Sequence, residues 1–113
     1  MSLDVYLTVA QPIVVHSENI THNLGKMANA VNLSDGLTLY NVLWRPDEHG
    51  LLYAAEIKGY LFEGWEILKN DPKKFQQYNP ENGWGNYENL LEFVRNYIDA
   101  CLENPDAIIE VSR

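Results

Sequence analysis

Apolar and polar side chains alternate strictly at the start of the chain. The apolar members of this run are Leu3, Val5, Leu7 and Val9. Side chains that recur at every second residue lie on one face of a β-strand. Gln11-Pro12 interrupts the run and β-branched residues resume over Ile13–Ser17, which predicts a hairpin. A further strand-forming segment, Asp106–Ser112, closes the chain. Strands are therefore expected at both ends of the sequence.

The longest predicted helix lies just before that last segment. Asn86 is suited to cap its start, and Asn104-Pro105 ends it. Its apolar residues recur at helical spacing and comprise Tyr87, Leu90, Leu91, Val94, Tyr97, Ile98, Cys101 and Leu102. Because the intervening residues are mostly polar, the pattern predicts an amphipathic helix that packs on the core through one face.

Helical periodicity also occupies the middle of the chain. A second long helix is predicted from Pro46 to about Asn70, and a short one over residues 72–78. Another short helix is predicted within residues 19–31, with Asn19 or Thr21 as its cap. Residues 37–44 are compatible with either a short helix or an extended segment. We therefore predict a single α+β domain over residues 1–113. Its N-terminal hairpin and C-terminal strand form a small antiparallel sheet packed against three to four helices.

The charge of the chain limits the classes of partner. Sixteen acidic residues against eight basic ones give a formal net charge of −8. The basic residues are scattered from Lys26 to Arg113 without forming a run. Duplex nucleic acid and anionic membranes require concentrated positive charge, so neither is expected as a partner. Small ligands, proteins with basic surfaces and mimicry of a nucleic acid remain open.

Cysteine and histidine positions do not indicate a disulfide or a metal site. Cys101 is the only cysteine, so no intramolecular disulfide is possible, which favours a cytoplasmic setting. Its place on an apolar helix face predicts a buried, unreactive thiol. His16, His22 and His49 show no metal-ligand spacing. We predict no metal or cofactor. The N-terminus does not resemble a signal peptide, and no apolar run is long enough to span a membrane.

The loop before the long helix, "NPENGWGN", is the first candidate site. Asparagines and glycines surround Trp84 in this loop. One interpretation is turn chemistry, with Trp84 folding back as a lid on the core. The other is a ligand wall, in which Trp84 offers a stacking surface and Asn82 offers a donor and an acceptor. Both interpretations stay open from the sequence.

Two other segments carry polar side chains suited to ligand binding. His22, Asn23 and Lys26 lie opposite an apolar stripe, either as a solvated helix face or as groups that meet one anion. Arg45 precedes a helix start, where it pairs with an acidic neighbour or binds a ligand carboxylate or phosphate. No nucleophile elbow, phosphate loop or dinucleotide-binding motif occurs, so catalysis is not favoured. An enzyme using His22 and a carboxylate is a further alternative.

Four segments together resemble a group of short proteins from tailed bacteriophages and their prophages. These segments are "NITHNLGKMA", "LWRPDE", "NPENGWGNYENLLEFVRNYIDAC" and "PDAIIEVSR", in that order. The resemblance covers the chain from about Asn19 to Arg113. It implies a phage source and the cytoplasm of an infected bacterium, and it implies no mechanism.

The leading hypothesis is a non-catalytic phage accessory protein that binds a polar small molecule, with a nucleotide-like compound as one candidate. The expected site comprises His22, Asn23, Lys26, Arg45, Asn82 and Trp84. The alternative is an acidic protein-interaction module that acts on a host factor. The small-molecule hypothesis requires the Trp84 loop and the His22 segment to lie in contact.

Overall fold

The computed structural model describes residues 2–9 and 13–113. Three strands form one antiparallel sheet, with β1 (Ser2–Val9) in the centre. β2 (Ile13–Thr21) pairs with one edge of β1, and β3 (Ile108–Ser112) pairs with the other. The order β2-β1-β3 confirms the predicted α+β class, in which the C-terminal strand joins the N-terminal hairpin.

One face of the sheet carries the core. Leu3, Val5 and Leu7 of β1 are completely buried, as their alternation predicted. The register pairs Val5 with Glu18 and Leu7 with His16. Directly paired residues of an antiparallel sheet lie on the same face, so these two polar residues of β2 face the helices rather than solvent.

β2 is longer than the predicted strand over Ile13–Ser17. Its backbone remains paired with β1 as far as Thr21. Of the two predicted caps within residues 19–31, Thr21 rather than Asn19 is the observed one: it caps a 3-10 turn at His22–Leu24, and the α-helix begins only after this turn. Backbone hydrogen bonds to β1 thus hold residues 19–21 in a strand, although apolar residues recur at helical spacing in this segment. The predicted turn at Gln11-Pro12 lies outside the described residues.

The described residues form five α-helices, against three to four predicted: α1 (Gly25–Asn29), α2 (Leu39–Trp44), α3 (Ala54–Asn70), α4 (Pro72–Gln76) and α5 (Tyr87–Glu103). The helix α2 resolves the ambiguous segment over residues 37–44. Thr38 Oγ1 accepts a hydrogen bond from the Asn41 N–H at 3.3 Å, and Asn41 Oδ1 accepts one from the Thr38 N–H at 2.8 Å. This reciprocal capping defines the start of the helix.

The helix α3 begins later than predicted. Pro46–His49 forms only a 3-10 turn, after which the chain passes alongside β3. The Ile109 N–H donates to the Leu52 carbonyl at 2.9 Å. Glu56 Oε1 then accepts hydrogen bonds from the N–H groups of Leu52 and Tyr53, both at 2.9 Å. The edge of β3 thus holds this segment extended, and the prediction of one continuous helix from Pro46 was wrong.

The core lies between the sheet and the two long helices. α3 packs against α5, and α5 also contacts β2. The predicted inner face of α5 is largely buried, although Leu102 is 58% exposed. Gly64 permits a close approach to α2, because a Cβ at this position would lie 2.9 Å from Leu39 Cδ1. No helix in the described part of the chain has the length and apolar character needed to cross a membrane.

Candidate ligand-binding cleft

The end of β2 turns sharply into α1 and exposes polar groups. Thr21 Oγ1 accepts a hydrogen bond from the Asn23 N–H at 3.2 Å, which caps the 3-10 turn. Leu24 of this turn is buried, whereas Asn23 and Lys26 are exposed. The turn therefore presents its polar residues outward, while its apolar residue anchors it to the core.

Asparagine side chains organise the loop that precedes α5. Asn79 Oδ1 accepts from the Tyr87 N–H at 2.8 Å, and Asn82 Oδ1 accepts from the Trp84 N–H at 2.9 Å. Asn86 Oδ1 accepts from the Asn89 N–H at 2.9 Å and thereby caps α5. These bonds bear out the predicted turn chemistry. They also give the loop a defined shape before any ligand binds.

Trp84 does not form a lid on the core. Its side chain is 69% exposed, the largest exposed fraction among the exposed large apolar residues of the described chain. Burying one face of an indole ring contributes substantially to binding energy. An indole held outward on a hydrogen-bonded loop is thus available for stacking, and the lid interpretation was wrong.

The loop lies directly against the turn at the end of β2. Gly85 has φ +94°, and a Cβ at this position would lie 2.7 Å from Thr21 Cγ2. It would also lie 3.2 Å from Leu24 Cγ. Only glycine combines this left-handed backbone with so close an approach. The contact on which the small-molecule hypothesis depends is therefore present.

Three depressions that share lining residues lie around this contact. The first, here called the Trp84 cleft, has a volume of about 330 Å³, and its walls include Glu18, Asn19, Trp84, Asn89, Glu92 and Asn96. The second, the amide groove, has a volume of about 560 Å³ and is lined by Ser2, Asn19, Thr21, Asn23, Asn82 and Trp84. The third, the His22 groove, has a volume of about 580 Å³, and its lining includes His22, Asn23, Lys26, Tyr78, Asn79 and Glu81. Trp84 borders the first two depressions, and Asn23 borders the last two.

Five of the six predicted site residues line these depressions. Asn23, Asn82 and Trp84 meet in the amide groove, and His22 and Lys26 meet Asn23 in the His22 groove. Arg45 borders none of the three. Arg45 instead forms an ion pair with Glu48 on the surface, with 2.7 Å between Nη1 and Oε2.

The His22 ring is positioned by an aromatic neighbour. It packs edge-on against Trp44, with 6.2 Å between the ring centroids. Trp44 in turn stacks on Tyr40 with a centroid distance of 5.2 Å. His22 Nε2 is buried and has no hydrogen-bond partner among the described residues. Because this nitrogen is buried, a ligand in the His22 groove reaches it only after the ring moves.

Glu18 was not predicted as a site residue, yet it lines the Trp84 cleft. His16 Nε2 lies 2.7 Å from Glu18 Oε1, and Asn96 Nδ2 lies 3.5 Å from Glu18 Oε2. Burial raises the pKa of Glu18, and the hydrogen bond from His16 partly offsets this effect. The available sequence signal was a histidine and a glutamate two apart on a strand, which places both on one face.

Beneath this pair lies a buried hydroxyl group without a partner. The rings of His16 and Tyr97 stack with their centroids 6.0 Å apart, and Tyr97 is completely buried. The Tyr97 hydroxyl has no hydrogen-bond partner among the described residues, and burial strongly raises its pKa. Cys101 is also buried, which raises the pKa of its thiol to about 12. The thiol is therefore protonated at neutral pH, as predicted for an unreactive cysteine.

Tyr97→Phe is expected to raise the free energy of unfolding by about 1 kcal/mol, because it removes a buried hydroxyl group that lacks a partner. Urea unfolding followed by circular dichroism measures the change. Tyr6→Phe on the opposite face of the sheet is the control, since this side chain is only half-buried. A clear loss of stability in Tyr97→Phe would show that the hydroxyl group is hydrogen-bonded.

The described residues contain no group of three or more His, Cys, Asp and Glu side chains placed to hold a metal ion.

The chain matches no protein-family model, and comparisons with curated proteins and with solved structures give no match either. The cleft and its neighbouring grooves are therefore the features from which a function can be inferred.

Proposed function

We propose that this chain is a non-catalytic phage accessory protein that binds a polar small molecule along the Trp84 cleft, the amide groove and the His22 groove. The contact of Gly85 with Thr21 is the observation that carries the proposal, because it brings two distant segments together around shared residues. The resemblance to short proteins of tailed phages supports the phage source and the host cytoplasm as its setting.

The order of chemical groups along the three depressions favours a nucleotide-like ligand. Trp84 offers a flat stacking surface at one end, and Lys26 offers a positive charge at the other. Between them lie the amides of Asn23 and Asn82. A base stacked on Trp84, a sugar against the amides and a phosphate near Lys26 would satisfy all three.

His22 extends the anionic end of this arrangement. It lines the same groove as Lys26, and the two residues are four apart in the chain. Its Nε2 is buried without a partner, so a rotation of the ring that exposes this atom would let it donate to a phosphate oxygen when it carries the proton. Glu81 also lines this groove, and its negative charge repels any further negative charge on the ligand. A single phosphate group is therefore favoured over a longer phosphate chain.

Native mass spectrometry of the protein purified from a bacterial host tests this proposal, before and after a mixture of nucleotides and metabolites is added. A discrete added mass is expected in at least one spectrum. Only the apo mass in both spectra would contradict the proposal. The size of the added mass identifies the class of ligand.

Trp84→Ala is expected to weaken binding by about tenfold or more, because base stacking on an aromatic side chain contributes about 1–3 kcal/mol. Isothermal titration calorimetry with the ligand found by mass spectrometry measures the loss. The melting temperature should shift by less than about 4 °C, since the side chain is exposed. Unchanged affinity would remove Trp84 from the site.

Two variants complete this test. Phe62→Ala is the matched control, because Phe62 is 51% exposed on α3 and lines none of the three depressions. Its affinity should equal that of the wild type. Arg45→Ala tests whether Arg45 takes part in ligand binding. Unchanged affinity assigns this side chain to its ion pair with Glu48 alone, and a loss of affinity would show that it contributes to the site.

A protein-interaction module acting on a host factor is the second candidate function. The exposed apolar residues Ile13 and Val14, 55% and 51% exposed, favour it because they lie on an edge strand. The net charge of −8 would give such binding a steep dependence on salt. Retention of a host protein that falls as salt rises, with no small-molecule mass, would favour this candidate.

A further inference from the structure

The walls of the Trp84 cleft differ in charge from those of the His22 groove. Two carboxylates, Glu18 and Glu92, line the Trp84 cleft, and no lysine, arginine or histidine does so within residues 2–9 and 13–113. The amides of Asn89 and Asn96 lie on the same walls. Carboxylates accept hydrogen bonds and do not donate them when ionised. The chemical partner of these walls is thus a group rich in N–H donors.

Hydrogen bonds to neighbouring side chains fix the position of the Glu18 carboxylate. His16 Nε2 contacts Oε1 at 2.7 Å, and Oε2 lies 3.5 Å from Nδ2 of Asn96, another residue of the cleft wall. The side chains of His16 and Glu18 are each only 17% exposed. A carboxylate fixed by a neighbouring ring loses little side-chain entropy when it accepts a further hydrogen bond. This geometry suits recognition of a specific donor.

Trp84 determines the plane in which an N–H donor of the ligand lies, because a ring that stacks on Trp84 lies parallel to its indole. Trp84 borders both the Trp84 cleft and the amide groove, so a ring stacked on its indole lies where the two depressions meet. Glu92 lies on α5 and Glu18 lies on β2. The cleft wall next to such a ring therefore includes acidic residues from two different elements.

We propose that the ligand stacks an amino-substituted ring on Trp84 and directs its amino group to the carboxylates of Glu18 and Glu92. This inference rests on the proposed function and names the ligand class more closely: nucleotides whose base carries an exocyclic amino group. Bases that lack this amino group leave both carboxylates without a donor. Discrimination between the two kinds of base follows from this difference.

Two matched ligand pairs test the inference by calorimetry at constant salt. Guanosine and inosine 5′-monophosphates differ by one amino group, as do adenosine and purine riboside 5′-monophosphates. The amino-bearing member of at least one pair is expected to bind about tenfold or more tightly, the effect of one charge-assisted hydrogen bond. Glu18→Gln or Glu92→Gln should reduce this preference to about threefold or less, because the charge of the acceptor is lost.

Glu88→Gln is the matched control, because it removes the same charge from the exposed first turn of α5 without lining the cleft. It should retain the wild-type preference. Equal binding of both members of each pair, still weakened by Trp84→Ala, would overturn this inference and leave the proposed function intact. Binding of none of the four compounds would also overturn it. The proposed function itself would then depend on whether mass spectrometry shows another bound molecule.

Discussion

Gly85→Ala should lower the free energy of unfolding by about 3 kcal/mol, one of the two largest losses expected from a single substitution here. Part of the loss is backbone strain, since Gly85 has φ +94°. The remainder is overpacking, because the new Cβ would lie 2.7 Å from Thr21 Cγ2. Urea unfolding, followed by circular dichroism, measures the loss.

Gly83→Ala separates these two contributions. Gly83 lies in the same loop with φ +77°, but a Cβ added there would have no atom within 4 Å beyond those of its immediate neighbours. Only the strain of about 1–2 kcal/mol is expected for this control. Equal losses in the two variants would show that the loop does not press against Thr21. Ligand affinity should fall in Gly85→Ala and change less in Gly83→Ala, because only the first disturbs the contact that forms the amide groove.

Trp44→Ala is expected to lower the free energy of unfolding by about 3–5 kcal/mol, the usual cost of removing a buried tryptophan. Trp44 is only 2% exposed, and it stacks on Tyr40. The substitution also removes the surface against which the His22 ring packs. Affinity for an anionic ligand is therefore expected to fall in the fraction that remains folded.

Trp65→Ala is the matched control for this variant. Trp65 is only partly buried on α3, and Lys69 Nζ lies 4.0 Å from the centroid of its ring. Its removal leaves no enclosed cavity, so a loss of about 1 kcal/mol is expected. A loss in Trp44→Ala no larger than this would contradict the buried position of Trp44. Thermal unfolding by differential scanning calorimetry compares the two variants.

Some elements were predictable because their signals are local. The alternation from Leu3 to Val9 predicted which face of β1 is buried, and Asn86 predicted the start of α5. A strand at each end of the chain predicted that these ends share one sheet. The first two signals depend on residues close together in the sequence, and the third followed from the fold class, since each end strand needs a partner; tertiary contacts do not oppose any of them.

The boundary errors have a different origin. Residues 19–20 belong to β2 rather than to a helix because their backbone pairs with β1, and of the two predicted caps it is Thr21 that caps the turn. The segment before Ala54 is extended because Leu52 bonds to Ile109 of β3. In both places a partner distant in the sequence satisfies backbone groups that a helix would otherwise satisfy. Local periodicity carries no information about such partners.

The sequence by itself determined the fold class, the buried face of the central strand and the polar residues available for binding, because each depends on side-chain type and short-range spacing. Only the tertiary structure decided which of these residues meet. It placed the Trp84 loop against the turn after β2, set Arg45 apart with Glu48, and turned Glu18 toward the cleft. Each of these outcomes follows from long-range packing and strand register, in which a shift of one residue would move Glu18 to the opposite face.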